Sequence, residues 1–150
     1  KNIEITRNIL SNILDVKFIQ ICSVYKSKNE LIDEMVQKLE SEKCVGPDFL
    51  LSVYKRETLN STFLKGGIGI PHGDPKHVTK PTIYFTKLTT PVLWENEREV
   101  EFVILLALNQ DSDIYVKQLY RLLSSKEVIT KLRTCEDNDN IYRLLTTTQI

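Results

Sequence analysis

The sequence is short of the residues that most often announce a function. It has two histidines, three cysteines, five glycines, one tryptophan and one methionine in 150 residues. It also has no surplus charge, because twenty lysines and arginines balance twenty aspartates and glutamates. Direct nucleic-acid contact is therefore not expected, since neutralising phosphates takes clustered cations and no Lys/Arg run is present. Cys22, Cys44 and Cys135 are odd in number and far apart, which argues against a disulfide framework. With two histidines and no CxxC, no structural zinc site is expected either. The thiols are read as reduced and mostly buried, which favours a cytoplasmic protein. No apolar run approaches the roughly 20 residues of a membrane span. The longest, near Phe102–Leu108, is strand-sized, so no membrane insertion is expected. A signal peptide is also missing. Because the sequence starts at Lys1 rather than Met, it is expected to be one domain, residues 1–150, excised from something longer.

The length and the ordinary apolar fraction fit one domain with a real core. Residues 1–26 carry apolar residues of ambiguous period and read as mixed helix and strand. Ser27-Lys28-Asn29-Glu30 then forms a capping box, followed at helical spacing by Leu31, Ile32, Met35, Val36 and Leu39. That predicts a helix to about Ser41. Gly46-Pro47 opens a second helix, with Pro in its first turn and Phe49, Leu50, Val53 and Tyr54 as its apolar face, fading near Glu57. Thr82–Leu88 alternates as a strand, Val92–Trp94 is a short extended piece, and Val100–Leu108 is a strand buried on both faces. Three helices follow: Ser112–Leu123, one after a capping box of Ser124 and Glu127, and Asn138–Thr146 capped by Asp137. The expected fold is a single α/β domain, a mixed parallel and antiparallel sheet of about five strands flanked by helices.

One stretch departs from this even texture. Gly66, Gly67, Gly69 and Gly73 are four of the five glycines and fall within eight positions, in a loop from Asn60 to Gly73 that encloses a very short strand. Such backbone either turns sharply or is closely approached. His72 lies in it, after Pro71, which fixes its own φ and restricts Ile70. The imidazole is thus held by stiff backbone and flanked by glycines, which suits a nucleophile that needs in-line access to phosphorus. The amides of Gly73 and Asp74 are candidates to face an anion. The plain alternative is a turn histidine that only packs.

The full segment reads Arg56-Glu57-Thr58-Leu59-Asn60-Ser61-Thr62-Phe63-Leu64-Lys65-Gly66-Gly67-Ile68-Gly69-Ile70-Pro71-His72-Gly73. It resembles the active-site signature of the fructose/mannitol-class IIA domain of the bacterial phosphoenolpyruvate-dependent sugar phosphotransferase system (PTS). In that family a Gly-Ile-Ala-Ile-Pro-His-Gly-like motif carries the phosphorylated histidine, and an Arg-Glu pair precedes it. Gly69 stands where Ala is usual, a change read here as small for small. The resemblance runs from the Ser27-Lys28 helix start to the C-terminal helices. It implies that His72, as neutral imidazole, accepts a phosphoryl group from the carrier HPr. It also implies that Arg56 pairs with the phosphoryl oxygens through guanidinium donors, and that Thr62, Gly73 and Tyr115 contribute to phosphate binding. No cofactor and no metal are implied.

Sugar-transporting members usually carry a second histidine, as His-Leu-x-x-Leu, at the start of the helix after the long strand. Here the matching stretch is Tyr115-Val116-Lys117-Gln118-Leu119. A tyrosine can donate a hydrogen bond to phosphate but cannot supply an imidazole. The other histidine, His77, does not match that position and reads as a solvated loop residue. Two settings follow from the resemblance. In one, the module regulates a transcriptional activator or antiterminator to which it is covalently linked. In the other, it is a transport component that passes phosphate to a IIB cysteine. The regulator is favoured by the missing histidine and by Val92–Leu108, which resembles regulator-type modules. A degenerate, unphosphorylated interaction module is the third reading.

Overall fold

A computed structural model describes residues 7–95 and 98–150. The Ser27 capping box forms in full: Ser27 Oγ accepts from Glu30 N at 3.2 Å and Ser27 N donates to Glu30 Oε1 at 2.8 Å. Two orphan amides of the first turn are thereby satisfied, and helix α1 runs Lys28–Ser41. Its five periodic apolar residues, Leu31 to Leu39, are all buried. Each such burial stabilises by about 1.5–3 kcal/mol, so packing rather than propensity holds the helix. Helix α2, Phe49–Leu59, starts after Pro47 and runs beyond Glu57. Pro47 is therefore in the turn before the helix, where Phe49 N donates to Gly46 O, and not in its first turn as the sequence suggests.

The strands are β1 (Ile19–Cys22), β2 (Phe63–Leu64), β3 (Ile68–Gly69), β4 (Thr82–Leu93) and β5 (Glu99–Ala107), in sheet order β1-β4-β5-β3-β2. β1 runs parallel to β4 and β3 parallel to β5, while β4–β5 and β2–β3 are antiparallel. The expected five-stranded mixed sheet is therefore present. The two extended pieces read at Thr82–Leu88 and Val92–Trp94 are not separate: residues 82–93 form one strand, interrupted by a register shift between Lys87 and Val92. Gly66 and Gly67 turn the chain between β2 and β3 at φ of 100° and 81°, a region that L side chains rarely occupy.

Period two sorts the central strands onto two faces. Ile83, Phe85, Phe102, Ile104 and Leu106 face one core, while Tyr84, Val103, Leu105 and Ala107 face the other. The first core is covered by α3 (Asp113–Leu123), α4 (Lys126–Thr134) and α5 (Asn138–Thr147), the second by α1 and α2. Of the stretch 1–26 read as mixed helix and strand, residues 1–6 lie outside the described residues; the rest forms two short 3-10 turns, Leu10–Asn12 and Val16–Phe18, and then β1. Asp137 caps α5 by accepting from Asn140 N. The cap of α4 is a correction: Ser125, not Ser124, accepts from Val128 N at 3.2 Å, and Ser124 closes α3, its hydroxyl donating to Arg121 O. All three cysteines are free, Cys44 buried and the other two half-buried.

Candidate functional site

β3 is only two residues long, yet its alignment with β5 continues beyond it. Ile68 pairs with Phe102 and Gly69 with Val103, and an isolated parallel bridge then joins His72 to Leu106. Leu106 N donates to Pro71 O at 2.9 Å. His72 thus sits at the carboxyl ends of two parallel strands, where open α/β sheets carry their ligands. Its half-buried ring is oriented by its own backbone: Nδ1 lies 3.1 Å from Ile70 O. A carbonyl oxygen only accepts, so this contact places the proton on Nδ1 and leaves the lone pair on Nε2. The Ile70-Pro71 peptide is trans.

The segment after α2 lies beside this strand. Ile70 N donates to Thr62 O at 2.9 Å. Thr62 is buried, and its hydroxyl donates to Glu57 Oε2. Arg56 Nη1 donates to Asn60 O at 2.8 Å, closing the C-terminus of α2. That bond uses one of the five N–H donors of the guanidinium. Thr62 is thereby joined to the strand that leads to His72, and Arg56 to Asn60, two residues before Thr62.

The glycines have reasons the sequence did not disclose. A Cβ on Gly73 would lie 2.6 Å from both Phe49 Cε1 and Ser52 Oγ. Close packing on α2 therefore demands glycine there. Asp74 N donates to Ser52 Oγ at 2.9 Å, so of the two amides read as anion donors, this one is already engaged. A Cβ on Gly69 would lie 2.8 Å from Trp94 Cε2 and Cζ2. The change read as small for small therefore has a local cause in this chain, the indole packed against Gly69.

Tyr115 lies in the first turn of α3, reached from the end of β5 and hence from the end of the sheet that carries His72. Its hydroxyl accepts from Asn12 Nδ2 at 3.2 Å, which leaves its own proton available. His77 is half-buried in a short 3-10 turn, Pro75–His77, capped by Asp74. A groove of about 820 Å³ between α3, α4, α5 and the last residues holds none of these groups.

Sequence reasoning missed two members of the neighbourhood. Glu57 stands next to Arg56, with its side chain only 6% exposed. Lys28 Nζ lies 2.7 Å from Glu57 Oε1 and 4.7 Å from the centre of a Trp94 ring. Glu57 Oε1 has no hydrogen-bond partner among the described residues, so the lysine contact is an ion pair rather than an aligned bond. The adjacent pair Arg56-Glu57 was the one signal available for Glu57. Nothing in the pattern marks Lys28.

The model of the phosphoenolpyruvate-dependent sugar phosphotransferase system EIIA 2 family matches residues 12–147, which include Arg56, Glu57, Thr62, His72 and Tyr115. The chain belongs to that family. This IIA domain has relatives in two settings. Transcriptional regulator ManR of Bacillus subtilis is 30% identical over 95 residues, covering 63% of this chain and 14% of the regulator. The 2-O-alpha-mannosyl-D-glycerate-specific PTS EIIABC component of Escherichia coli is 27% identical over 131 residues, covering 81% of this chain and 20% of that one. The IIA domain spans a small part of both. Among solved structures, the complex of enzyme IIA mannitol with phosphorylated enzyme IIB mannitol from Escherichia coli matches with a TM-score of 0.80 at 23% identity. It covers 91% of this chain and 100% of that one, a likeness of fold. Among the described residues, no helix is long and apolar enough to cross a membrane.

Proposed function

We propose that this IIA domain is phosphorylated on His72 by phospho-HPr, and that it regulates a transcriptional activator or antiterminator of sugar-utilisation genes as a module of a longer cytoplasmic protein. The observation that carries the phosphoryl step is the Nδ1 contact to Ile70 O, which leaves Nε2 as the free lone pair. In the transfer, a P–N bond forms at Nε2 while the P–N bond to the donor histidine breaks, and Nδ1 keeps its proton. Arg56 offers charged donors to the phosphoryl oxygens, and Gly73 and Tyr115 are the further phosphate-binding groups in this reading. Two leucines of α2 are exposed, Leu51 at 62% and Leu59 at 81%. Exposed apolar side chains on the helix that carries Arg56 suit a protein partner better than a free sugar.

The regulator is preferred over transport because Tyr115 stands where transporters usually place a second histidine, and because ManR is a relative. The EIIABC relative favours the second reading, a transport component that hands phosphate to a IIB cysteine. The test is incubation with phosphoenolpyruvate, enzyme I and HPr. One acid-labile phosphate is expected on the wild type and none on His72→Ala; label on His72→Ala would exclude the assignment. In the same assay Arg56→Ala should lower the phosphohistidine level with little change in melting temperature. A charge-assisted bond of about 1.5–3 kcal/mol is lost there, and an unchanged level and rate would take Arg56 out of the site.

A further inference from the structure

The groups around His72 include a buried carboxylate that the phosphoryl chemistry does not use. Glu57 is nearly inaccessible, and an ionised carboxylate in that position is costly unless it is paired and hydrogen-bonded. It has both kinds of partner. Lys28, from the first turn of α1, supplies the opposite charge at 2.7 Å. Thr62 supplies a hydroxyl hydrogen to the other oxygen.

From Thr62 the connection runs on to the imidazole. The Thr62 carbonyl accepts from Ile70 N at 2.9 Å, and the Ile70 carbonyl is the group that faces His72 Nδ1 at 3.1 Å. Three successive hydrogen bonds therefore join the Glu57 carboxylate to the ring: Thr62 Oγ–H to Glu57, Ile70 N–H to Thr62 O, and His72 Nδ1–H to Ile70 O. The peptide planes between them are rigid. A threonine hydroxyl that donates to Glu57 fixes the position of Thr62, and with it the carbonyl that orients Ile70.

We infer that Glu57 is the positioning residue of this site, setting the tautomer and orientation of His72 through Thr62 and Ile70. It touches neither donor nor phosphoryl group. The same geometry gives Thr62 its work: its hydroxyl is committed to Glu57 and is not a free donor to phosphate. The inference rests on the phosphoryl reading of His72, but its primary readout is taken before any phosphate is added.

The experiment is ring-nitrogen NMR of His72 in the unphosphorylated domain, joined to the rate of phosphorylation by HPr, for wild type, Glu57→Ala, Glu57→Gln, Thr62→Val and Thr62→Ser. Wild type should show a proton on Nδ1. In Glu57→Ala and Thr62→Val the ring should average between tautomers, and phosphorylation should slow roughly tenfold, the scale of one lost hydrogen bond. Glu57→Gln keeps an acceptor oxygen and Thr62→Ser keeps the donor, so both should retain the wild-type tautomer. Combining Glu57→Ala with Thr62→Val should add little to either, because both cut the same chain. If Glu57→Ala does not fold, Thr62→Val carries the test alone. Slower transfer with an unchanged ring signal would overturn the inference, as would wild-type rate and ring signal together. Failure of the phosphoryl reading looks different: the wild type itself would take no phosphate at His72, while the ring signals would still report on Glu57.

Discussion

A methyl group added at Gly69 meets an aromatic ring, not open space, and the consequence is measurable. At 2.8 Å from two indole carbons, the new Cβ must push Trp94 or the strand aside, and overpacking of this kind costs about 1–3 kcal/mol. Gly69→Ala should therefore lower stability in a urea titration by about that amount, and Trp94→Phe in the same chain should recover part of it. Equal stability of Gly69→Ala and wild type would show that the ring yields freely. This pairing explains why the residue scale was only half legible. His72 was singled out because proline and glycine are local signals: they restrict or free the backbone wherever they occur, and its role is what we propose. Arg56 was singled out because it precedes the motif at the family's spacing, and its role is likewise a proposal. Glu57, Lys28 and Trp94 meet only after three distant segments have packed, Lys28 from the start of α1, Glu57 from the end of α2 and Trp94 from the end of β4. No spacing in the sequence encodes that meeting. Gly73 illustrates the same limit, since Phe49 and Ser52, twenty-odd residues upstream, fill the space a side chain there would need.

At the scale of elements, caps and periods did most of the predicting. α1 was readable from Ser27 and Glu30 because a capping box is a contact between near neighbours, and the structure makes both of its bonds. The same rule misplaced the start of α4 by one residue. Ser124 and Ser125 are chemically equivalent in sequence, and only the preceding helix decides between them. α3 extends to Leu123 and takes Ser124 as its last cap, leaving Ser125 to start α4. The expected outcome is asymmetric. Ser125→Ala should cost about 1 kcal/mol in thermal or urea unfolding, the usual loss for an N-cap hydroxyl, while Ser124→Ala should be nearly silent. The reverse order would restore the sequence reading. Residues 82–93 were split in two for a comparable reason. The register shift between Lys87 and Val92 breaks the period-two pattern, and a broken period resembles the end of a strand.

For the molecule as a whole, the sheet order is what makes a site. β3 is too short to be stable alone, and it exists because β5 pairs with it along residues buried on both faces. That pairing carries His72 to the end of the sheet at which β5 passes into α3, and so towards Tyr115. The fold class was legible because alternation and helical periods are strong in β4, β5 and α1. The position of Tyr115 relative to His72 followed only from topology. The functional consequence proposed for Tyr115 belongs at this scale. A neutral hydroxyl can donate to a phosphoryl group, but a second imidazole can also take up charge during transfer. Onward transfer to a IIB cysteine should be slower than in a two-histidine IIA domain, and Tyr115→His should quicken it in a single-turnover assay. Wild-type transfer as fast as a two-histidine domain would remove the main support for the regulator. The central claim, that His72 accepts phosphate through Nε2, has a more direct test. The nitrogen-15-labelled domain is phosphorylated with phosphoenolpyruvate, enzyme I and HPr, and phosphorus–nitrogen coupling is read by NMR. Coupling to Nε2 of His72 alone is expected. Coupling to Nδ1, or phosphate on any other residue, would contradict it.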